Sequence, residues 1–465
     1  MLQKKGKFYI TTTIPYVNAR PHAGHALEYA QADALARYYR LAGKDVFFLT
    51  GTDENSLKNY QAAKEGGIST KNLVDRNAEI FKDLAEKLNI SFDDFIRTTE
   101  ARHIETAKKI WLAAKDKIYK KKYRGLYCVG CEMFYKESEL VDGLCPDHKI
   151  KPEIVEEENY FFKLSDYQCQ LEKIIESDEM EIVPAVRKNE ALSFIKLGLE
   201  DFSISRLAER GDGWGIEVPG DPGQRMYVWF DALTNYLSAE KYWPADVHCL
   251  GKGVLRFHAV YWPVMLLAAG LALPKKLFVH GYLTVGGQKM SKSLGNVVDP
   301  FDLIERYGAD AVRYYLLREV SPFEDADITE EKFKEAYNAN LANGLGNLVS
   351  RVMKMSEQYL DNPVDISSTK PMDDVNKPLE NFEFNRAMFS MWSYMKDIDG
   401  MIQEEKPFEL VKRDKKSAQK RVMYYVKELA RIAKHLRPFM PDTSEKILEA
   451  IKANKMPESL FPRKE

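Results

Sequence analysis

Apolar and polar positions change period several times along this chain, and each change marks an element. Residues 8–13 are an unbroken apolar and β-branched run, which predicts a buried strand. Pro15 and Pro21 stiffen the loop that follows; beyond it Ala26, Leu27, Tyr29, Ala30, Ala34, Leu35 and Tyr38 recur at helical spacing. Residues 45–50 predict a second strand, 57–65 and 72–88 two helices, and 92–99 a third strand ending in a polar tip. Strands alternating with helices point to an α/β domain with a parallel sheet. Near residue 120 the pattern turns to short strands, glycines and cysteines. The acidic stretch 153–164 reads as an edge strand, and a Gly/Pro-rich segment ending at Gly223 closes a β-rich insertion. The α/β pattern resumes at Gln224. MYVWFDALTNYL is a strand tip running into a helix, 247–251 and 277–281 are strands, and 254–270 is a buried helix. Two short helices divided at Gly308 follow, and helical patterns at 331–360, 382–403, 417–436 and 441–453 predict a bundle.

The domain reading is therefore 1–117 and 224–330 as two halves of an α/β domain, 118–223 as the insertion between them, and 331–465 as an all-α domain. A chain of 465 residues exceeds one ordinary core. Its 45% hydrophobic and 30% charged residues describe a soluble globular protein. The formal charge of -2 makes no global demand for nucleic acid, so any basic surface is local. The clearest basic run is Lys412, Arg413, Lys415, Lys416, Lys420 and Arg421. The first strand begins too early to leave room for a signal segment, and 262–273, interrupted by Pro263, is too short to span a bilayer. A cytoplasmic protein without membrane contact is expected.

Three constellations carry chemistry. A strand feeding a loop feeding a helix gathers free backbone N–H groups, a natural phosphate site. His22-Ala23-Gly24-His25 lies at that junction, with two imidazoles able to donate to phosphate oxygens and a glycine that lets a nucleotide approach. Asp53, at the carboxyl end of the second strand, is placed to share the same cleft. Lys289-Met290-Ser291-Lys292-Ser293 stands between glycines, and its lysines are point charges suited to a triphosphate or a leaving pyrophosphate. Cys128-x2-Cys131 and Cys145-x2-His148 provide four S/N ligands, the set that a closed structural Zn2+ requires, one ion per chain. Cys169 and Cys249 are expected to be ordinary buried thiols.

HAGH after the first strand together with KMSKS after the last resembles the signature pair of the class I aminoacyl-tRNA synthetases. ITTTIPYVNARPHAGH, the GTDE tip, YVWFDALTNYL, the cysteine-rich insert, FHAVYWP, KMSKSLGNVVDP and NLVSR narrow the resemblance to the methionyl-tRNA synthetases, of the short bacterial or organellar type with one zinc knuckle. It covers essentially the whole chain. The resemblance implies a Rossmann-like catalytic domain split by a zinc-containing insertion and followed by an anticodon-binding bundle. It also implies a two-step reaction. Methionine and ATP, the latter with Mg2+, give methionyl-adenylate and pyrophosphate; the methionyl group then passes to the 3′-terminal adenosine of tRNA(Met), initiator and elongator.

By motif match His22, His25 and Lys292 would serve catalysis, while Gly24, Lys289, Lys292 and Ser293 would hold the nucleotide. Asp53 would take the α-ammonium of methionine. Ile14, Tyr16, Trp229, Ala232, Tyr236 and His258 would form the amino-acid pocket. Asn347 and Arg351, four apart and so on one helix face, match the anticodon-reading pair. Phe408 stands where relatives carry a stacking tryptophan. Gly251-Lys252-Gly253 replaces the usual Gly-Lys-Asp, which removes an acceptor near the ATP ribose and the tRNA end. The chain stops just past the bundle, without the appended domain that makes longer relatives dimers, so a monomer is expected. Two alternatives remain: another class I synthetase, or a catalytically weakened tRNA-binding paralogue. The short insert argues against the first, since branched-chain relatives carry a larger editing domain.

Overall fold

The computed structural model describes residues 6–128, 133–146, 149–290, 297–368 and 370–465. The chain divides into two units, each assembled from segments distant in sequence. The first comprises Met1–Pro21, Lys44–Asp83 and Phe92–His280, and the second His22–Gly43, Leu84–Ser91 and Gly281–Glu465.

A six-stranded parallel sheet organises the first unit, in the order Asp94–Arg97, Asp45–Thr52, Lys7–Thr11, Val247–Gly251, Lys276–His280, Glu181–Val183. Lys7–Thr11 is central, and every residue in it after Lys7 is buried. Parallel strands covered on both faces read as continuous apolar runs, which is how this one appears in the sequence. Strand order reverses between Lys7–Thr11 and Val247–Gly251, so the crevice of this Rossmann-like sheet lies beyond their carboxyl ends. The sixth strand, Glu181–Val183, comes from inside the 118–223 stretch, as do the helices Gln168–Glu176 and Ala185–Lys196.

The remainder of that stretch is β-rich. Met133–Tyr135, Ile118–Cys128, Glu153–Phe162 and Phe202–Ser203 form a four-stranded antiparallel sheet in that order. Glu153–Phe162 is not the edge strand expected. It pairs along its length with Ile118–Cys128, and its last two residues pair on the other side with Phe202–Ser203. Its acidic half keeps one unpaired flank, and that half is what the sequence pattern detects.

The helix expected over 254–270 is broken into pieces. A turn over Lys252–Val254 leads to a π-helical stretch, Phe257–Tyr261, and then to the α-helix Trp262–Ala268. Pro263 has no N–H to donate back into the preceding turn, and a π-bulge is a common way to absorb such a break.

In the second unit, the helix Ala23–Leu41 and the helices that follow residue 300 belong to one body. Asp33 and Arg313, both fully buried, pair at 2.7 Å. Asp33 also accepts from Arg37 Nε at 2.7 Å and from the Ser91 N–H at 2.7 Å. Arg313 also donates to the carbonyls of Phe439, Pro438 and Leu88. A buried charge survives only when its partners are complete, and this one has them. The C-terminal part is an all-α bundle of Asn347–Tyr359, Asp373–Glu380, Phe384–Glu405, Lys415–Leu436 and Pro441–Ala453, with shorter helical turns between. Among the described residues, no helix is long and apolar enough to cross a membrane.

Candidate active site

His22 is the N-cap of Ala23–Leu41, and its Nδ1 accepts from the Gly24 N–H at 3.1 Å. His25 Nδ1 accepts in turn from the His22 N–H at 3.1 Å. The two rings lie 4.0 Å apart. Because both Nδ1 atoms accept, each neutral ring carries its proton on Nε2, the arrangement of a donor. Desolvation first and the neighbouring His22 second hold the His25 pKa well below the ordinary imidazole range. A Cβ on Gly24 would stand 2.8 Å from His22 Cε1, so the folded-back His22 ring itself requires glycine there.

In the same unit, Leu283–Val285 and Gln288–Lys289 form a hairpin. Gly286 and Gly287 both have positive φ, which is the conformation of a two-residue primed turn. Met290 is buried. Of the expected phosphate-loop residues, Lys292 and Ser293 lie outside the described residues, and Lys289 is described by its backbone alone. Past that loop the Val298 carbonyl accepts from the Ala23 N–H at 3.1 Å. The chain leaving KMSKS is thereby bonded to the start of the HAGH helix.

The first unit holds an aromatic pocket. Trp229, on the short helix Val228–Ala232, stacks on Phe257 at 3.6 Å and meets Tyr16 edge-on at 6.3 Å. His258 donates from Nδ1 to the Val254 carbonyl at 2.9 Å, so its Nε2 accepts from Tyr236 Oη at 2.7 Å. The π-helical stretch carries both Phe257 and His258. Ala232, Tyr236 and His258 are all buried, and Ile14 packs against the cluster around Tyr9. Asp53 is 2% exposed; its N–H donates to the Pro15 carbonyl at 2.9 Å, pairing its backbone beside Tyr16. Of the residues expected to bind methionine, Trp229 meets both Tyr16 and His258 edge-on, and Tyr236 bonds His258.

The family described as "tRNA synthetases class I (M)" matches residues 8–151 and 148–353. The methionine–tRNA ligase of Rhizobium meliloti is 44% identical over 96% of this chain and 91% of its own length. That of Thermotoga maritima is 40% identical over 97% of this chain and 76% of its own. The structure of Mycobacterium tuberculosis methionyl-tRNA synthetase in complex with methionyl-adenylate superposes with a TM-score of 0.89 at 38% identity, covering 99% of each chain.

The chain belongs to the methionyl-tRNA synthetase family. Its activity is that of the family, the ATP-dependent ligation of methionine to tRNA.

The residues matched to the anticodon readers of methionyl-tRNA synthetases lie on exposed surface of the bundle. Asn347 opens the helix Asn347–Tyr359 and donates from Nδ2 to the Asn343 carbonyl at 3.2 Å. Arg351 Nη1 donates to Asp399 Oδ1 at 2.9 Å. Phe408, in the turn Pro407–Leu410, is 45% exposed. The basic run enters the helix Lys415–Leu436, capped by Asp414.

The expectation of a structural zinc ion is corrected. Among the described residues, no group of three or more His, Cys, Asp or Glu side chains could hold a metal. Of the four expected ligands, Cys131 and His148 lie outside the described residues. Cys128 and Cys145 are buried with Tyr135 and partly buried Leu140, and the Cys145 thiol donates to Tyr135 Oη at 3.7 Å. Both thiols pack as small apolar groups in this cluster. Cys249 is buried as expected, whereas Cys169 is exposed.

Several site-adjacent residues escaped the sequence reading. His248 Nδ1 bonds Thr11 Oγ1 at 2.7 Å, and its ring lies 4.2 Å from that of Tyr236. Asp231 is fully buried and 2.9 Å from the equally buried His103. The one available signal was Asp231 itself, an acid inside the otherwise largely apolar run 226–233.

Proposed function

We propose the following division of labour in the methionyl-tRNA synthetase reaction. The methionine carboxylate attacks the α-phosphorus of ATP, and pyrophosphate leaves. The attacking group is already ionised, so the protein's task is positioning and charge stabilisation. His22 and His25 present Nε2–H donors to the phosphate oxygens and to the pentavalent phosphorus. Gly24 admits the nucleotide, and Lys292, assisted by Lys289 and Ser293, neutralises the charge that builds towards pyrophosphate. Asp53 binds the α-ammonium. Tyr16, Trp229, Ala232, Tyr236 and His258 enclose the thioether, with backbone contact from Ile14.

Methionyl-adenylate is then the intermediate, as its presence in the Mycobacterium tuberculosis enzyme suggests. The ribose hydroxyl of the terminal adenosine takes the methionyl group. Asn347 and Arg351 read the anticodon and Phe408 stacks on an unstacked base. On this reading 331–465 serves tRNA(Met), initiator and elongator alike, while the two α/β segments 1–117 and 224–330 serve catalysis and 118–223 is inserted between them. The protein works as a cytoplasmic monomer.

The observation that carries this reading is the locked Tyr236–His258 pair beside the Trp229–Phe257 stack. An apolar, aromatic wall with one oriented polar contact suits an unbranched thioether. Methionine-dependent pyrophosphate exchange tests it. Trp229→Ala should raise the methionine KM about tenfold or more while ATP binding holds. A better rate with leucine or valine than with methionine would overturn the assignment.

A further inference from the structure

Asp231 sits inside the five-residue helix that carries Trp229 and Ala232, two walls of the amino-acid pocket. A helix this short has little intrinsic stability and takes its position from tertiary contacts. Besides the Trp229 and Phe230 ring contacts, its polar anchor is the Asp231 carboxylate, which is fully buried and held by two donors. His103 Nε2 lies 2.9 Å from Oδ1, and Asn55 Nδ2 lies 3.0 Å from Oδ2. Burial pushes the Asp231 carboxyl up, while the bonds from His103 and Asn55 pull it back. Asn55 also donates its amide to the Thr98 carbonyl at 3.2 Å, so the amide orientation is fixed with the nitrogen between two acceptors. Its backbone N–H then reaches Asp53 Oδ1 at 3.3 Å. Three side chains, His103, Asp231 and Asn55, thus run in one line that ends, through the Asn55 backbone N–H, on the Asp53 carboxylate.

The geometry points to a positioning role for this line. We infer that His103, Asp231 and Asn55 hold the Asp53 carboxylate in the orientation that receives the amino group of the substrate. The inference rests on the assignment of Asp53 to the α-ammonium. None of the three touches the reacting atoms. Asp231 answers two donors with two acceptor oxygens. An asparagine there keeps the volume but offers one acceptor, so one of the two bonds depends on a change of His103 tautomer.

The test compares equilibrium binding of methionine with that of its des-amino analogue, together with the KM values for methionine and ATP. The wild-type protein should prefer methionine, and Asp53→Asn should abolish that preference. His103→Leu, Asp231→Asn and Asn55→Ala should each cut the preference by about tenfold, roughly one well-placed hydrogen bond. Binding of the analogue and the ATP KM should stay within about twofold. His103→Gln, whose amide can still donate to Asp231, should restore most of the loss. If Asp53→Asn abolishes the preference but correctly folded relay variants keep it, the relay is overturned and the Asp53 assignment stands. If Asp53→Asn leaves the preference intact, both fall. A loss spread equally over methionine, analogue and ATP would mark a merely structural role and also overturn the inference. Asn55→Ala, in a half-buried loop, keeps the test open should His103→Leu fail to fold.

Discussion

Arg351 is held at 2.9 Å by Asp399, across to the neighbouring helix of the bundle, with both side chains substantially exposed. An exposed pair of this kind is worth about 0.2–1 kcal/mol, so it orients the guanidinium without locking it, as the proposed anticodon role requires. Arg351→Ala is expected to lower tRNA charging by about tenfold to a hundredfold, the cost of roughly one or two charge-assisted hydrogen bonds. Asp399→Ala should change charging by no more than about threefold. Running charging and pyrophosphate exchange on the same preparations checks this. An equal loss in both assays for Arg351→Ala would place the damage outside anticodon reading.

The His22–His25 pair fixes a tautomer, and burial with the neighbouring His22 keeps His25 neutral. The folded pKa of His25 lies below its unfolded value. Above about pH 6.5 the ring is neutral in both states and has no effect on stability. Below that, the unfolded chain takes up the proton first, and stability declines until the folded ring protonates too. Tm should therefore be flat from about pH 7 to 8 and fall below about pH 6, with part of the fall removed by His25→Gln. Ring nitrogen NMR shifts should report an Nε2–H tautomer that does not titrate above about pH 6.5.

At Asp33 the pKa is also lowered, but by pairing with Arg313 rather than by burial. Burial works to raise the Asp33 carboxyl, but Arg313, Arg37 and Ser91 together hold it below the ordinary value of 3.8. Its stabilisation is present above that value and is lost as pH falls through the lower folded pKa. Arg313→Leu strands a buried carboxylate and should cost about 3–5 kcal/mol in chemical denaturation. The double change with Asp33→Leu should recover part of that loss.

Gly253 lies exposed in the Lys252–Val254 turn and is not among the glycines with positive φ. Nothing in its backbone excludes an L side chain. Gly253→Asp, the residue that the motif resemblance implies here, is expected to raise aminoacylation kcat/KM or leave it unchanged. A large drop would mean that this chain has reorganised the ribose side of its site.

The parallel strands were legible because buried central strands write themselves as apolar runs, as Lys7–Thr11 and Asp45–Thr52 do. Glu181–Val183 was not, because three residues are too few to show a period. The pocket side chains were reached through motifs; their partners were not. Tyr236 and Trp229 stand out as aromatics, but nothing local in the sequence says that Asp231 will meet His103, which is 128 positions away. The metal expectation failed for a related reason. Spacing brings cysteines near one another, yet Cys128 and Cys145 are equally at home as packing around Tyr135.

The central strand of the catalytic sheet has consequences for biosynthesis. Thr11 and His248, bonded across adjacent strands, are 237 residues apart. The first strand emerges from the ribosome long before its partner exists, and closing so large a loop costs entropy before any contact repays it. Until Val247–Gly251 arrives, one edge of Lys7–Thr11 is an apolar template for mispairing. Nascent chains of this protein should therefore lean on chaperones until about residue 280 is made, and then gain protease resistance abruptly.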